Sequence, residues 1–120
     1  MLKAMFGFGK EKRIKFERQV FYILQQELGI DMDPESNPWF GRYTGYVDFL
    51  SKYFYQKRSA EHCALALALI FWKGISVVGP HLNEPEGNEL KLKLLSLINA
   101  YEQHGIVASN ITAAARAELS

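Results

Sequence analysis

Cysteine is almost absent from the 120-residue chain, which contains only Cys63. A single cysteine cannot form an internal disulfide, and a reducing environment is compatible with that. Because Cys63 lies in an apolar stretch, we expect it to be a small buried hydrophobic residue. The first ten residues, MLKAMFGFGK, also lack the long apolar stretch of a secretory signal. These features together predict a cytoplasmic location.

Long hydrophobic runs are absent as well. The longest segment without a polar side chain is the ten-residue stretch Cys63–Trp72, whereas a membrane-spanning helix needs about 20 apolar residues. Its leucines and alanines favour a helix over a strand, and a helix that is apolar on every side must be buried. Small side chains at Ala60, Ala64 and Ala68 form a ridge along which a neighbouring helix could pack closely. The stretch is therefore predicted to belong to a core helix.

Residue patterns for catalysis and metal binding are also missing. The three histidines and Cys63 show neither H-x-x-x-H nor C-x-x-C spacing, so no metal site is predicted. His62 and Cys63 are adjacent, which on a helix directs their side chains about 100° apart and prevents a nucleophile–base pair. No phosphate-binding loop is present, because the glycines near Lys10 do not follow a strand. We therefore predict that the protein is not an enzyme and needs no cofactor.

Helical periodicity, by contrast, is present along most of the chain. Ser59 and Asn88 are the expected N-caps of the third and fourth helices, and Gly29 and Gly105 are the expected stops of the first and fourth. The predicted helices span residues 11–28, 39–58, 60–78, 89–104 and 111–119.

This pattern predicts an all-α fold, a single-domain bundle of about five helices packed around the central apolar helix at residues 60–78. The predicted organisation is a flexible N-terminal tail, residues 1–10, followed by one helical domain, residues 11–120.

Charge is unevenly distributed along the chain, although the net charge is only +1 and gives no overall nucleic-acid signature. Residues 1–18 contain six basic and two acidic side chains, whereas residues 27–35 contain four acidic and no basic ones. Both segments could simply be solvated surface. Otherwise the basic end predicts contact with phosphate on nucleic acid or lipid, and the acidic loop predicts a partner with a basic surface.

Eight of the sixteen aromatic residues lie between positions 39 and 55. All of them could pack against the third helix, with tyrosine hydroxyls reaching solvent. Alternatively, the end of the segment next to the acidic loop could form a protein-binding patch, since tryptophan and tyrosine are common interface anchors. A third interpretation is that these rings stack on single-stranded bases, because four basic residues are interleaved with or adjoin them. These are Arg42, Lys52, Lys57 and Arg58.

The first functional hypothesis is a small helical protein-binding module, acting as an inhibitor, an immunity-type antidote or a regulatory adaptor that masks a partner surface. The partner would be another protein with a basic surface, and a homodimer is a further alternative. A peripheral membrane- or nucleic-acid-binding protein that uses the basic N-terminal segment is the second hypothesis, disfavoured by the low net charge. The predicted partner-binding residues are Asp31, Asp33, Glu35, Trp39, Phe40 and Tyr43.

Overall fold

The computed structural model describes the backbone of residues 2–33, 35, 46–78 and 84–120, and the side chains of residues 9–33, 35, 46–73 and 87–120. Five α-helices, and no strand, are present in these ranges, which confirms the predicted all-α bundle. The helices are α1 (Leu2–Tyr22), which a π-helical turn (Ile23–Glu27) continues, α2 (Tyr46–Tyr55), α3 (Ala60–Val78), α4 (Glu84–Gln103) and α5 (Ser109–Leu119).

Helix α3 is the centre of the bundle, as predicted. It contacts α1, α2, α4 and α5 as well as the π-helical turn. Ala64, Leu67 and Ala68 are completely inaccessible to solvent, and Leu65 and Phe71 are nearly so. These positions span about 160° of the helix circumference, so the other helices cover one broad face of α3, whereas Ala66, Leu69 and Ile70 on the opposite side are half-buried.

The first helix differs from its predicted bounds at both ends. It begins at Leu2, nine residues before the predicted start at Glu11. The mobility of residues 1–10, predicted to be a flexible tail, stays a prediction. At the other end the backbone widens into a π-helical turn, in which the Leu28 N–H donates to the carbonyl of Ile23, five residues earlier, at 3.1 Å. Gly29 then ends the helix as predicted, with a φ of +66°.

Of the four predicted caps, Gly29 and two others are present and one is wrong. The Ser59 hydroxyl accepts the N–H of His62 at 3.1 Å and so caps α3. Gly105 has a φ of +63° and ends α4 in a Schellman motif, in which the Ile106 N–H donates to the Tyr101 carbonyl. Asn88 does not cap α4, because that helix begins four residues earlier. Pro85 in its first turn costs no intrahelical hydrogen bond.

Polar contacts join α5 to its neighbours. The Arg116 guanidinium forms an ion pair with Glu102 and donates to the Asn99 amide oxygen at 2.6 Å, both on α4. Lys73 of α3 forms an ion pair with Glu118. These pairs are partly exposed, so each contributes at most about 1 kcal/mol. Burial of apolar side chains is therefore the main stabilising term.

None of the helices, over the residues that the structure describes, has both the length and the hydrophobicity needed to cross a membrane.

Two leucines of α4 provide a matched test of this packing. Leu94 is fully buried, whereas Leu92, two residues earlier, remains 68% exposed. We expect Leu94→Ala to lower the free energy of unfolding by about 2–5 kcal/mol, because it leaves a cavity. Leu92→Ala should change it by less than about 0.5 kcal/mol. Urea denaturation followed by circular dichroism measures both, and equal costs would contradict the placement of α4.

Candidate functional site

The acidic half of the predicted site forms one exposed loop after the π-helical turn. The N–H of Asp33 donates to Asp31 Oδ1 at 2.9 Å, and the N–H of Glu35 donates to Asp33 Oδ1 at 3.0 Å. These are two successive Asx turns, in which a carboxylate replaces the backbone carbonyl as acceptor. Buried Ile30 and half-buried Met32 attach the loop to the core. The loop is therefore ordered by its own acidic side chains and by these two contacts.

The predicted site also has an aromatic half. Trp39, Phe40 and Tyr43 lie outside the described residues. The three predicted contact residues that the structure describes, Asp31, Asp33 and Glu35, lie together in this loop.

A second surface, which we call the basic groove, lies where α1 meets the C-terminal end of α2 and the start of α3. It is an open depression of about 670 Å³. Four of its lining residues are cationic and three are aromatic, and none of the lining residues that the structure describes is a carboxylate. The lining consists of Lys12, Lys15, Phe16, Gln19, Phe54, Tyr55, Lys57, Arg58 and Ala60.

Helix α1 supplies one wall of the basic groove. Lys12, Phe16 and Gln19 recur at intervals of four and three residues, and Lys15 adjoins Phe16, so all four lie toward one face of the helix. The ring of Phe16 packs against Phe54 of α2 with 5.6 Å between the centroids. This aromatic pair gives the groove an apolar floor beneath cationic rims.

Arg13 attaches α1 to α2 beside the basic groove. Its Nε lies 3.2 Å from the Glu17 carboxylate, and a terminal nitrogen donates to the Ser51 hydroxyl at 3.0 Å. Glu17 therefore pairs with Arg13 along the same helix and does not neutralise the lining lysines directly. Arg13 has a structural role here, since it aligns the two helices that form the groove.

The C-terminus of α2 places two cations at the opposite wall. The N–H of Lys57 donates to the Phe54 carbonyl and that of Arg58 to the Tyr53 carbonyl, both at 3.0 Å. This is a Schellman motif with Lys57 at the left-handed position, where φ is +59°. Glycine is the usual residue there, and another residue costs about 1–2 kcal/mol. The chain thus adopts a strained turn beside the groove.

Tyr55 is the most accessible aromatic residue of the basic groove. Its side chain is 69% exposed, although its ring also forms an edge contact with Phe54 at 5.4 Å. A large aromatic residue with this exposure contributes little to the core. Its open ring face can instead be covered by a planar ligand.

The basic groove continues into a neighbouring depression on α1. The two share Lys15 and Gln19, and the neighbouring depression adds Arg18 and Tyr22 together with one acid, Glu11. Tyr22 is also more than half exposed. The two depressions therefore adjoin at Lys15 and Gln19, and together they carry cations and two exposed aromatic residues, Tyr22 and Tyr55.

The residues with the best catalytic potential are placed unfavourably for catalysis. Cys63 is fully buried, and burial raises the pKa of its thiol to about 12. Burial, and then the positive charge of Arg58, lower the pKa of His62, whose ring packs edge-on against Tyr53 at 5.2 Å. Among the described side chains, no group of three or more histidine, cysteine, aspartate or glutamate residues could hold a metal ion.

The sequence indicated the cationic residues of the basic groove, but it did not indicate that they line the same surface. It assigned the lysines of α1 to one hypothesis and Lys57 and Arg58 to another. The spacing of Lys12, Lys15, Phe16 and Gln19 was the available indication that cations and an aromatic ring share one face. Contact between Phe16 and Phe54 depends on packing between segments 38 residues apart.

No protein-family model matches the chain, and comparisons with curated proteins and with solved structures likewise found no match.

The strained turn at Lys57 predicts that replacement of a lysine by glycine stabilises the protein at position 57 but destabilises it at position 52. Lys57→Gly relieves the left-handed strain at some cost in unfolded-state entropy, so we expect it to raise the free energy of unfolding by roughly 0.5 kcal/mol. Lys52→Gly removes the same charge from within α2 and should lower it by about 0.5–1 kcal/mol. Thermal unfolding distinguishes them, and a destabilised Lys57→Gly variant would contradict the Schellman geometry.

Proposed function

We propose that the protein is a small helical binding module that takes up an extended polyanion in the basic groove. The observation that supports this most directly is the convergence of Lys12 and Lys15 from α1 with Lys57 and Arg58 from beyond α2. No ion pair within the described residues neutralises Lys15, Lys57 or Arg58. An anionic ligand would supply the missing counter-charge.

The low net charge does not weigh against this proposal, because the charges are segregated. On α1 itself, Glu17 is paired with Arg13 and Glu11 lines the neighbouring depression. The next acidic residue along the chain, Glu27, lies about 12 Å beyond Gln19 at the helical rise per residue, and the acidic loop lies further on. Screening in 0.1 M salt reduces electrostatic interactions over about 10 Å, so the acidic loop contributes little repulsion to a ligand in the groove.

A polyanion fits this surface better than a single small anion. The cations line an open groove of about 670 Å³ rather than a closed pocket. Lysine and arginine side chains arranged in this way bind an anionic chain by displacing the counter-ions condensed on that chain. The continuation past Lys15 toward Arg18 lengthens the path available to the ligand.

Charge reversal at two positions tests the proposal. We expect Lys15→Glu combined with Arg58→Glu to weaken binding to dextran sulfate by about tenfold or more in 0.1 M salt, because both sides of the groove then repel the polymer. The matched control, Lys91→Glu with Lys93→Glu on α4, changes the net charge equally but should bind nearly as the wild type does. Isothermal titration calorimetry measures all three proteins, and equal losses in both double variants would refute a specific groove.

The second candidate function is binding of a basic protein partner through the acidic loop, in the role of an inhibitor, immunity-type antidote or regulatory adaptor. The two Asx turns favour it, because they hold Asp31, Asp33 and Glu35 in an ordered and exposed loop. A partner would then not need to pay the full entropy of ordering that loop. The other three predicted contacts, Trp39, Phe40 and Tyr43, belong to the same proposal.

Neutral isosteres separate the charge of this loop from its shape. Asp31→Asn and Asp33→Asn keep the side-chain oxygen that each Asx turn requires, and Glu35→Gln keeps the volume. We expect this triple variant to retain the wild-type melting temperature but to lose a salt-sensitive, stoichiometric protein partner recovered from native cell extract. Asp48→Asn with Glu11→Gln and Glu89→Gln is the control of equal charge. Recovery of the same partner by the loop variant would exclude this contact.

Three further expectations also stay predictions. The proposals above describe a protein that binds without catalysing a reaction, requires no cofactor and acts in the cytoplasm.

A further inference from the structure

We propose that the ligand of the basic groove is single-stranded nucleic acid, with the cations on its phosphates and the Tyr55 ring stacked on a base. This inference rests on the proposed function and names the ligand class for the same site. Binding of single strands commonly combines a positively charged groove that follows the backbone with aromatic side chains on which bases stack. Both parts are present in the groove.

The aromatic residues distinguish this ligand from other polyanions. A sulfated polysaccharide or a poly-glutamate would use the cations but would offer Tyr55 no aromatic ring on which to stack. Tyr55 is 69% exposed at the edge of the groove, within the same lining as Lys57 and Arg58. A nucleotide places a phosphate and a planar base within a few ångströms of each other, and so matches this pairing of charge with an open ring face.

The shape of the groove favours a single strand over a duplex or a membrane. In a duplex the base faces are already stacked, so Tyr55 would have no face to cover. A bilayer presents a broad surface, whereas Phe16 and Phe54 are half-buried at the floor of a depression between two helices. A flexible strand can follow that concave path.

The length of the surface suits a short segment of nucleic acid. From Lys12 to Tyr22, α1 extends about 15 Å at the helical rise per residue. The shared residues Lys15 and Gln19 make the basic groove continuous with the depression that holds Arg18 and Tyr22. A path of this length corresponds to the lower end of single-strand site sizes, about four nucleotides.

Fluorescence anisotropy with the full chain tests this inference. The probes are labelled twelve-nucleotide single strands of DNA and of RNA, a duplex of the same length, a labelled poly-glutamate and vesicles of phosphatidylserine and phosphatidylcholine. We expect single strands to bind at least about tenfold more tightly than the duplex at 0.1 M salt. Four phosphate contacts predict a slope of log K against log salt near −3, and Lys15→Gln should reduce its magnitude by about 0.7.

Two substitutions at one position separate stacking from charge. Tyr55→Leu keeps an apolar side chain but removes the ring face, and we expect it to weaken single-strand binding about 5- to 150-fold, the range for loss of one stacked base. Tyr55→Phe keeps the ring and should bind as the wild type does. Neither variant should alter the affinity for dextran sulfate, because the charges of the groove are unchanged.

Each outcome bears on a different part of the proposal. Retained dextran sulfate binding, with equal affinity for single strands and duplex and no effect of Tyr55→Leu, would overturn the nucleic-acid inference and leave the polyanion function standing. Tighter binding to vesicles or to poly-glutamate than to single strands would replace nucleic acid with that ligand. Failure to bind any polyanion would overturn the proposed function as well.

Discussion

Burial of α3 at the centre of the bundle is the constraint on which the rest of the structure depends. Its broad apolar face must be kept from water, so neighbouring elements have to cover that face, whereas Ala66, Leu69 and Ile70 on the other side are half-buried. The other four helices all contact α3. The ion pairs of Arg116 and Lys73 add polar contacts between α5 and the helices α4 and α3, which already pack through apolar side chains. Function, if it lies at the surface, must therefore use the outward faces of these covering helices and the seams between them.

The basic groove is one such seam. It forms where α1 and α2 meet above the start of α3, and the small side chain of Ala60 leaves space at its base. Arg13 and the Phe16–Phe54 contact fix the spacing of the two helices. The strained Schellman motif then turns the chain so that Lys57 and Arg58 line the seam. A glycine at position 57 would form this turn at lower cost but would remove one of the four cations.

Much of the fold was predictable because its determinants are local. Helix α3 has the predicted bounds, and Ser59 and Gly105 cap as expected, since apolar periodicity and capping act within a few residues. The start of α1 and the early start of α4 were missed because both helices run through residues of low helix propensity, Gly7 and Gly9 in α1 and Pro85, Gly87 and Asn88 in α4. The π-helical turn was missed because helical periodicity does not distinguish it from an α-helix. The groove was not predictable as a unit, since Phe16 and Phe54 meet only after the chain packs. The acidic loop was predicted as a cluster, but its Asx turns require the backbone conformation that the structure provides.

The position of α1 between the basic groove and the acidic loop has a consequence for how the molecule approaches a ligand. Its N-terminal half contributes lysines to the groove, whereas its π-helical end leads into the exposed carboxylates. The peptide dipoles of the helix point in the same sense, with the positive end at the N-terminus. Because the net charge is only +1, this separation of charge along α1 acts as a local dipole, on which the field of a nearby polyanion exerts a torque and little net pull. The protein would therefore rotate before it touches the polyanion, and the encounters that lead to binding would be those in which the basic groove faces the polyanion.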